Sequence, residues 1–136
     1  MKGKPLLAYS VDAARQSKYI TKTVVSSDNE EILTVARDLG TVALPRPPAL
    51  ATDTASTELA ILNALEQLKT VGETFDILIL LQPTSPLRTA KDIDSTVEIL
   101  LQSDATSVIS VYEPSHTPFK AFKLSADGFL QGLVDN

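Results

Sequence analysis

A chain of 136 residues is long enough for one domain with its own core, and 43% hydrophobic with 21% charged residues is ordinary for a globular protein. A net charge of −5, with no run of five or more like charges, excludes a phosphate-tracking nucleic-acid surface, and the absence of cysteine excludes a disulfide framework, a thiolate zinc site and a Cys nucleophile. The longest apolar run, residues 77–81, falls far short of the roughly 20 residues a spanning helix needs, and Tyr9, Ser10 and Asp12 break the stretch after Met1 that a signal peptide would require. A cytoplasmic protein with neither membrane nor nucleic acid as partner is expected.

Pro5 followed by Leu6, Leu7, Ala8, Val11, Ala13 and Ala14 predicts a helix with proline in its first turn. Residues 22–26, KTVVS, read as a short strand. Ser27-Asp28-Asn29-Glu30 matches a capping box, opening a helix that stops at Gly40. Residues 41–44 read as strand again, and a proline-rich loop from Pro45 to Leu50 follows.

Thr52 to Thr57 leads into a helix through Leu59, Ile61, Leu62, Leu65 and Leu68. Residues 75–81, FDILILL, are apolar on both faces, the pattern of a strand buried between helix layers. Thr89-Ala90-Lys91-Asp92 is a second capping box before a helix with Ile93, Val97 and Leu100. Residues 105–112 read as strand, and FKAFKL, the Ala126-Asp127-Gly128 turn and FLQGLV as a hairpin. The alternation predicts one α/β domain built on a doubly wound, mostly parallel sheet, with a C-terminal β-hairpin. The series opens on a helix with no strand ahead of it.

Ligands in such sheets bind beyond the carboxyl ends of the strands. That rule gathers three segments on one rim: Ser26-Ser27-Asp28, the loop from Arg46 to Thr57, and Gln82 to Arg88. The rim offers hydroxyls, an amide and two arginines, with prolines fixing loop shape, and no evident nucleophile or general base. It suits holding a polar, anionic ligand. Arg46 and Arg88 read equally well as surface ion-pairing residues. Asp92 and Asp94 look like a carboxylate pair, but Asp92 occupies the third position of a capping box, so the pair reads as structural. His116, the single histidine, lies in a loop and is paired with no serine or cysteine by any motif.

RPPALATDTAST, LILLQPTSPLRTAKDID and SHTPFKAFKL, in that order and spacing, together with GKPLLAYSVDAA and VVSSDNEEI, resemble the acylneuraminate cytidylyltransferase family. The resemblance covers nearly the whole chain, and QPTSPLR is its most specific element. It implies a nucleotidyltransferase that joins a nine-carbon acidic sugar to CMP: the anomeric hydroxyl attacks the α-phosphate of CTP, pyrophosphate leaves, and Mg²⁺ is the cofactor. It implies that Arg46, Ala55 and Thr57 contact the nucleotide and that Gln82 and Lys120 contact the sugar. Ser27, Thr84, Ser85 and Arg88 form the wider rim. No catalytic residue and no metal ligand is implied within the chain.

The sequence departs from the family pattern at both ends. The five glycines, at 3, 40, 72, 128 and 132, build no glycine-rich triphosphate loop, and only Lys2-Gly3-Lys4-Pro5 matches the family pattern, at the segment C-terminal to that loop. The family's first strand and its later metal-binding aspartates have no counterpart. The expectation is an internal fragment, inactive alone, in which the lost central strand leaves unpaired edges and apolar surface, with the ligands of Mg²⁺ outside the chain. The segment 113–136 resembles the start of a dimerisation region, so a homodimer is expected. Open alternatives are a non-catalytic binding module, and an enzyme of the same reaction acting on legionaminic, pseudaminic or 3-deoxy-octulosonic acid.

Overall fold

The computed structural model describes residues 3–113, 115 and 121–133. Helix α1 (Leu6–Gln16) begins after Pro5, which stands at the N-cap with φ −55° and ψ 144° rather than inside the first turn. A fixed φ and a missing N–H cost nothing there, because the first helical amides have no acceptor within the helix. The helix ends as Ser17 turns extended. Its buried positions are small (Ala8, Ser10, Val11, Ala13 and Ala14), and it packs on α4 (Ala90–Leu101), which buries Ile93 and Val97.

Strand β1 (Val24–Ser27), helix α2 (Glu30–Asp38) and strand β2 (Val42–Pro45) form a unit with parallel strands, paired Val24↔Val42, Val25↔Ala43, Ser26↔Leu44 and Ser27↔Pro45. The expected capping box at Ser27 is not the cap of α2. Ser27 is the last residue of β1 and buried, so the cap falls to Asn29, whose side-chain oxygen accepts from the amides of Glu31 at 2.8 Å and Ile32 at 3.2 Å. Ser27 Oγ instead accepts from the Asn29 amide at 3.1 Å, bending the chain between strand and helix. At the far end, Gly40 holds φ +70° and donates its amide to the Arg37 carbonyl, the left-handed stop that glycine adopts without strain.

After a 3₁₀ turn at Pro48–Leu50 comes α3 (Thr57–Thr70), capped by Ser56, whose Oγ accepts from the Glu58 amide at 3.2 Å. The capping box expected before α4 is present. Thr89 Oγ1 accepts from the Asp92 amide at 3.3 Å, and Asp92 Oδ2 accepts from the Thr89 amide at 2.8 Å. Hydrogen bonds from the Thr89 amide and hydroxyl hold the Asp92 carboxyl below its ordinary value of 3.8. Strands β3 (Phe122–Leu124) and β4 (Leu130–Gly132) pair antiparallel around Gly128, at φ +87°, as the expected hairpin.

The chain is thus mixed α/β, with one parallel strand pair and one antiparallel hairpin among the described residues. Residues 75–81 and 105–112, expected as strands, carry no ladder. A strand needs a partner as well as a pattern, and neither segment meets one. Leu78 is 49% and Leu80 52% exposed in consequence, and Ile109 and Val111 are more open still. The accessible surface of 10332 Å² exceeds the roughly 6,900 Å² of a compact monomer of this mass by about half. Among the described residues no helix is long and apolar enough to cross a membrane.

Candidate functional site

A cleft of about 950 Å³ opens between β1 and residues 77–83, walled by α1, α2 and α3. Its floor is apolar, with Val24, Val25, Ile79 and Leu81 from the strand segments and Ile61 and Leu65 from α3. Its rim is polar. Ser26, Ser27, Arg46, Ala55, Thr57 and Gln82 all line it, at the carboxyl ends of β1 and β2, at the start of α3 and at the end of the 75–81 segment. Five residues singled out from the sequence, Ser27, Arg46, Ala55, Thr57 and Gln82, therefore line one cavity.

Arg46 is the cation of this rim, and its position follows from β2. The strand ends at Pro45, and the Arg46 amide makes one more ladder bond, to the Ser27 carbonyl at 2.9 Å. That bond points the side chain across β1. Its Nε donates to Ser26 Oγ at 3.2 Å and its Nη2 to the Ser26 carbonyl. Ser26 thus orients the guanidinium, a role carried by a neighbour that the sequence showed only as one hydroxyl in a polar pair. Gln82 is fixed through its backbone: its carbonyl accepts from the Ser85 amide at 3.1 Å and from Arg88 Nη2 at 3.2 Å. Its side chain is exposed, and no partner for its amide stands among the described residues.

The remaining expectations fare differently. Thr84, Ser85 and Arg88 do not line the cleft; Arg88 folds back to close the turn that carries Gln82. Lys120, and with it His116, lies outside the described residues. Asp94 is a structural residue, its Oδ1 accepting from Ser17 Oγ at 2.5 Å and from the Lys18 amide at 3.2 Å. Among the described residues no group of three or more His, Cys, Asp or Glu is placed to hold a metal ion.

At the start of α3, Ser56 Oγ also donates to the Glu58 carboxylate, and this bond with the helix amide holds Glu58 below its ordinary value. A carboxylate in the first turn offsets part of the positive helix end beside Thr57.

Residues 1–126 match the family described as cytidylyltransferase. The chain belongs to the cytidylyltransferase family. Its relatives include the CMP-N,N'-diacetyllegionaminic acid synthase of Legionella pneumophila, 36% identical over 94% of this chain and 55% of the relative. The N-acylneuraminate cytidylyltransferase of Escherichia coli O18:K1:H7 is 40% identical over 71% of this chain and 22% of its own length. The pseudaminic acid cytidylyltransferase of Campylobacter jejuni serotype O:23/36 is 33% identical over 90% of this chain and 53% of the relative. This cytidylyltransferase chain spans at most about half the length of these three relatives. The family is one of nucleotidyltransferase enzymes.

Proposed function

We propose that the cleft rim holds a cytidine nucleotide and an acidic nine-carbon sugar for the transfer of CMP from CTP to the sugar. In that reaction a sugar hydroxyl oxygen bonds to the α-phosphorus and the bond to the departing pyrophosphate breaks. The work asked of the protein is positioning and charge stabilisation more than covalent chemistry. The observation that carries the reading is the convergence on one cleft of Arg46, Ala55 and Thr57, from the segment after β2, and of Gln82, from the end of residues 75–81. The guanidinium faces the nucleotide side, and the Gln82 amide offers both a donor and an acceptor to a polyhydroxylated sugar. Within this reading, β1, β2 and residues 75–81 belong to one doubly wound, mostly parallel sheet.

We place the ligands of Mg²⁺ outside this rim, and the chain alone is expected to form no CMP-sugar. The hairpin, with Phe122 64% and Leu124 71% exposed, is the proposed homodimer contact, and sedimentation of the protein tests it. The reading itself is tested with CMP, which carries the base, ribose and α-phosphate. Amide shifts at Arg46, Ala55 and Thr57 that saturate with CMP and are weaker with AMP are expected. Free N-acetylneuraminate, legionaminate and pseudaminate, added next, identify the sugar by the shift at Gln82. Absence of saturable shifts at these residues with millimolar CMP overturns the reading.

A further inference from the structure

The rim of the cleft has a support that stands outside it. Gln67 lies near the C-terminal end of α3 and lines no part of the cavity, and neither does Asn63 one turn before it. The Gln67 Nε2 donates to the Pro45 carbonyl at 3.1 Å and to Asn63 Oδ1 at 2.8 Å. A carbonyl oxygen only accepts, so the Pro45 contact fixes which end of the Gln67 amide faces β2. Asn63, four residues earlier on the same face of α3, accepts from the same amide nitrogen and aims the group.

Pro45 is the last residue of β2, and the peptide joining it to Arg46 is the step from strand to rim. Both hydrogen-bonding groups of that peptide are engaged. Its N–H, on Arg46, reaches the Ser27 carbonyl of β1 at 2.9 Å, and its C=O, on Pro45, receives Gln67 from α3. A trans peptide is planar, with N–H and C=O pointing in opposite directions, so two such bonds fix the plane. Held by Ser27 alone, the plane would pivot about a single hydrogen bond, and Arg46 would leave the strand in a less definite direction.

No other side-chain hydrogen bond joins α3 to β2 among the described residues. Helix α3 carries Thr57 at its first position, with Ala55 two residues ahead. The same helix therefore holds the Thr57 side of the rim at one end and braces the mount of Arg46 near the other. Just beyond α3, Glu73 is ion-paired with Lys22, just before β1, so that end of the helix is itself anchored to the strand pair.

We infer that Gln67 is a positioning residue for Arg46: by fixing the Pro45–Arg46 peptide from α3, it sets where the guanidinium stands relative to Ala55 and Thr57. This role rests on the nucleotide site proposed above. Arg46 is then mounted at both ends, at its guanidinium by Ser26 and at its backbone by Ser27 and Gln67.

Gln67→Met keeps the length and helix preference of the side chain and removes both donations. Gln67 and Asn63 are only half-buried, so neither change opens the core. CMP affinity is expected to fall about fivefold in Gln67→Met, the scale of one neutral hydrogen bond. A general loosening of α3 would also weaken binding, through Thr57, so the decisive comparison is made in the Arg46→Ala background. There Gln67→Met should change CMP affinity by less than about twofold, because the residue it mounts is gone. In the nucleotide-free protein the Arg46 Nε–H resonance should shift in Gln67→Met, with circular dichroism unchanged. Asn63→Leu spares the Pro45 contact and removes the group that aims it, and should give a smaller shift in the same direction.

Wild-type affinity in Gln67→Met overturns the inference, as does an undiminished loss in the Arg46→Ala background. An Arg46 resonance unmoved by Gln67→Met overturns it as well, whether or not CMP binds. If the wild type binds no CMP yet Gln67→Met moves that resonance, the nucleotide reading fails and the mounting of Arg46 is upheld.

Discussion

The hydroxyl of Ser17, at the end of α1, donates to Asp94 Oδ1 in α4 at 2.5 Å, joining residues 77 apart in sequence. The Lys18 amide donates to the same oxygen at 3.2 Å. Ser17 is buried, so removing the acceptor strands its hydroxyl away from water. Asp94→Ala is expected to lower stability by about 1–3 kcal/mol, the cost of an unsatisfied buried polar group. Urea unfolding checks it, and Ser17→Ala should recover part of the loss in the double variant.

Asp92 gives a pH dependence with a definite sign. Its carboxyl is held below 3.8 by the Thr89 amide and hydroxyl, so its contribution is present above 3.8 and disappears as pH falls through its lower folded value. Asp92→Asn should therefore be less stable than wild type at neutral pH, and the two should converge in acid. Urea midpoints of both proteins, from neutral pH down into strong acid, measure this. A constant difference across the range would refute it.

Arg46 and Arg88 should separate. Arg46→Ala removes the cation of the rim, and CMP binding is expected to weaken at least about tenfold, the scale of one charge-assisted hydrogen bond. Arg46→Lys should recover only part of it, because an ammonium cannot reproduce the planar two-point hold on Ser26. Arg88→Ala should leave CMP affinity within about twofold, since among the described residues the Arg88 guanidinium donates to the Gln82 carbonyl and does not line the cleft. Titration calorimetry of the three variants decides.

Gly40→Ala places a Cβ on a residue at φ +70°. A loss of about 1 kcal/mol or more is expected from the left-handed conformation alone, with the nearest atom, Arg15 Nη2, 3.8 Å from the new carbon. Thermal unfolding should show it, whereas a steric cause would be relieved by Arg15→Ala.

The helices are legible in the sequence because their signals are local. The spacing of Ile93 and Val97, the Thr89–Asp92 box and the Gly40 stop lie within single turns. The cap of α2 sits at Asn29 rather than Ser27 because Ser27 answers to β2, a partner invisible in the local pattern. Residues 75–81 read as strand for the same reason in reverse: the apolar run is there and the pairing is not. Of the site, Arg46, Ala55, Thr57 and Gln82 converge as the rim rule for open sheets requires. The service of Ser26 to Arg46 depends on where β2 ends, and the fold of Arg88 back onto Gln82 depends on its turn, so neither can be read from residue type.

The pairing of α1 with α4 also orders the chain in time. Helix α1 packs on a partner that starts at residue 90, so this contact forms only once some seventy intervening residues are in place. Closing a loop of that length costs about 4 kcal/mol of chain entropy. The β1–α2–β2 unit needs no such wait. Its contacts join neighbours in sequence, so closing them costs less chain entropy.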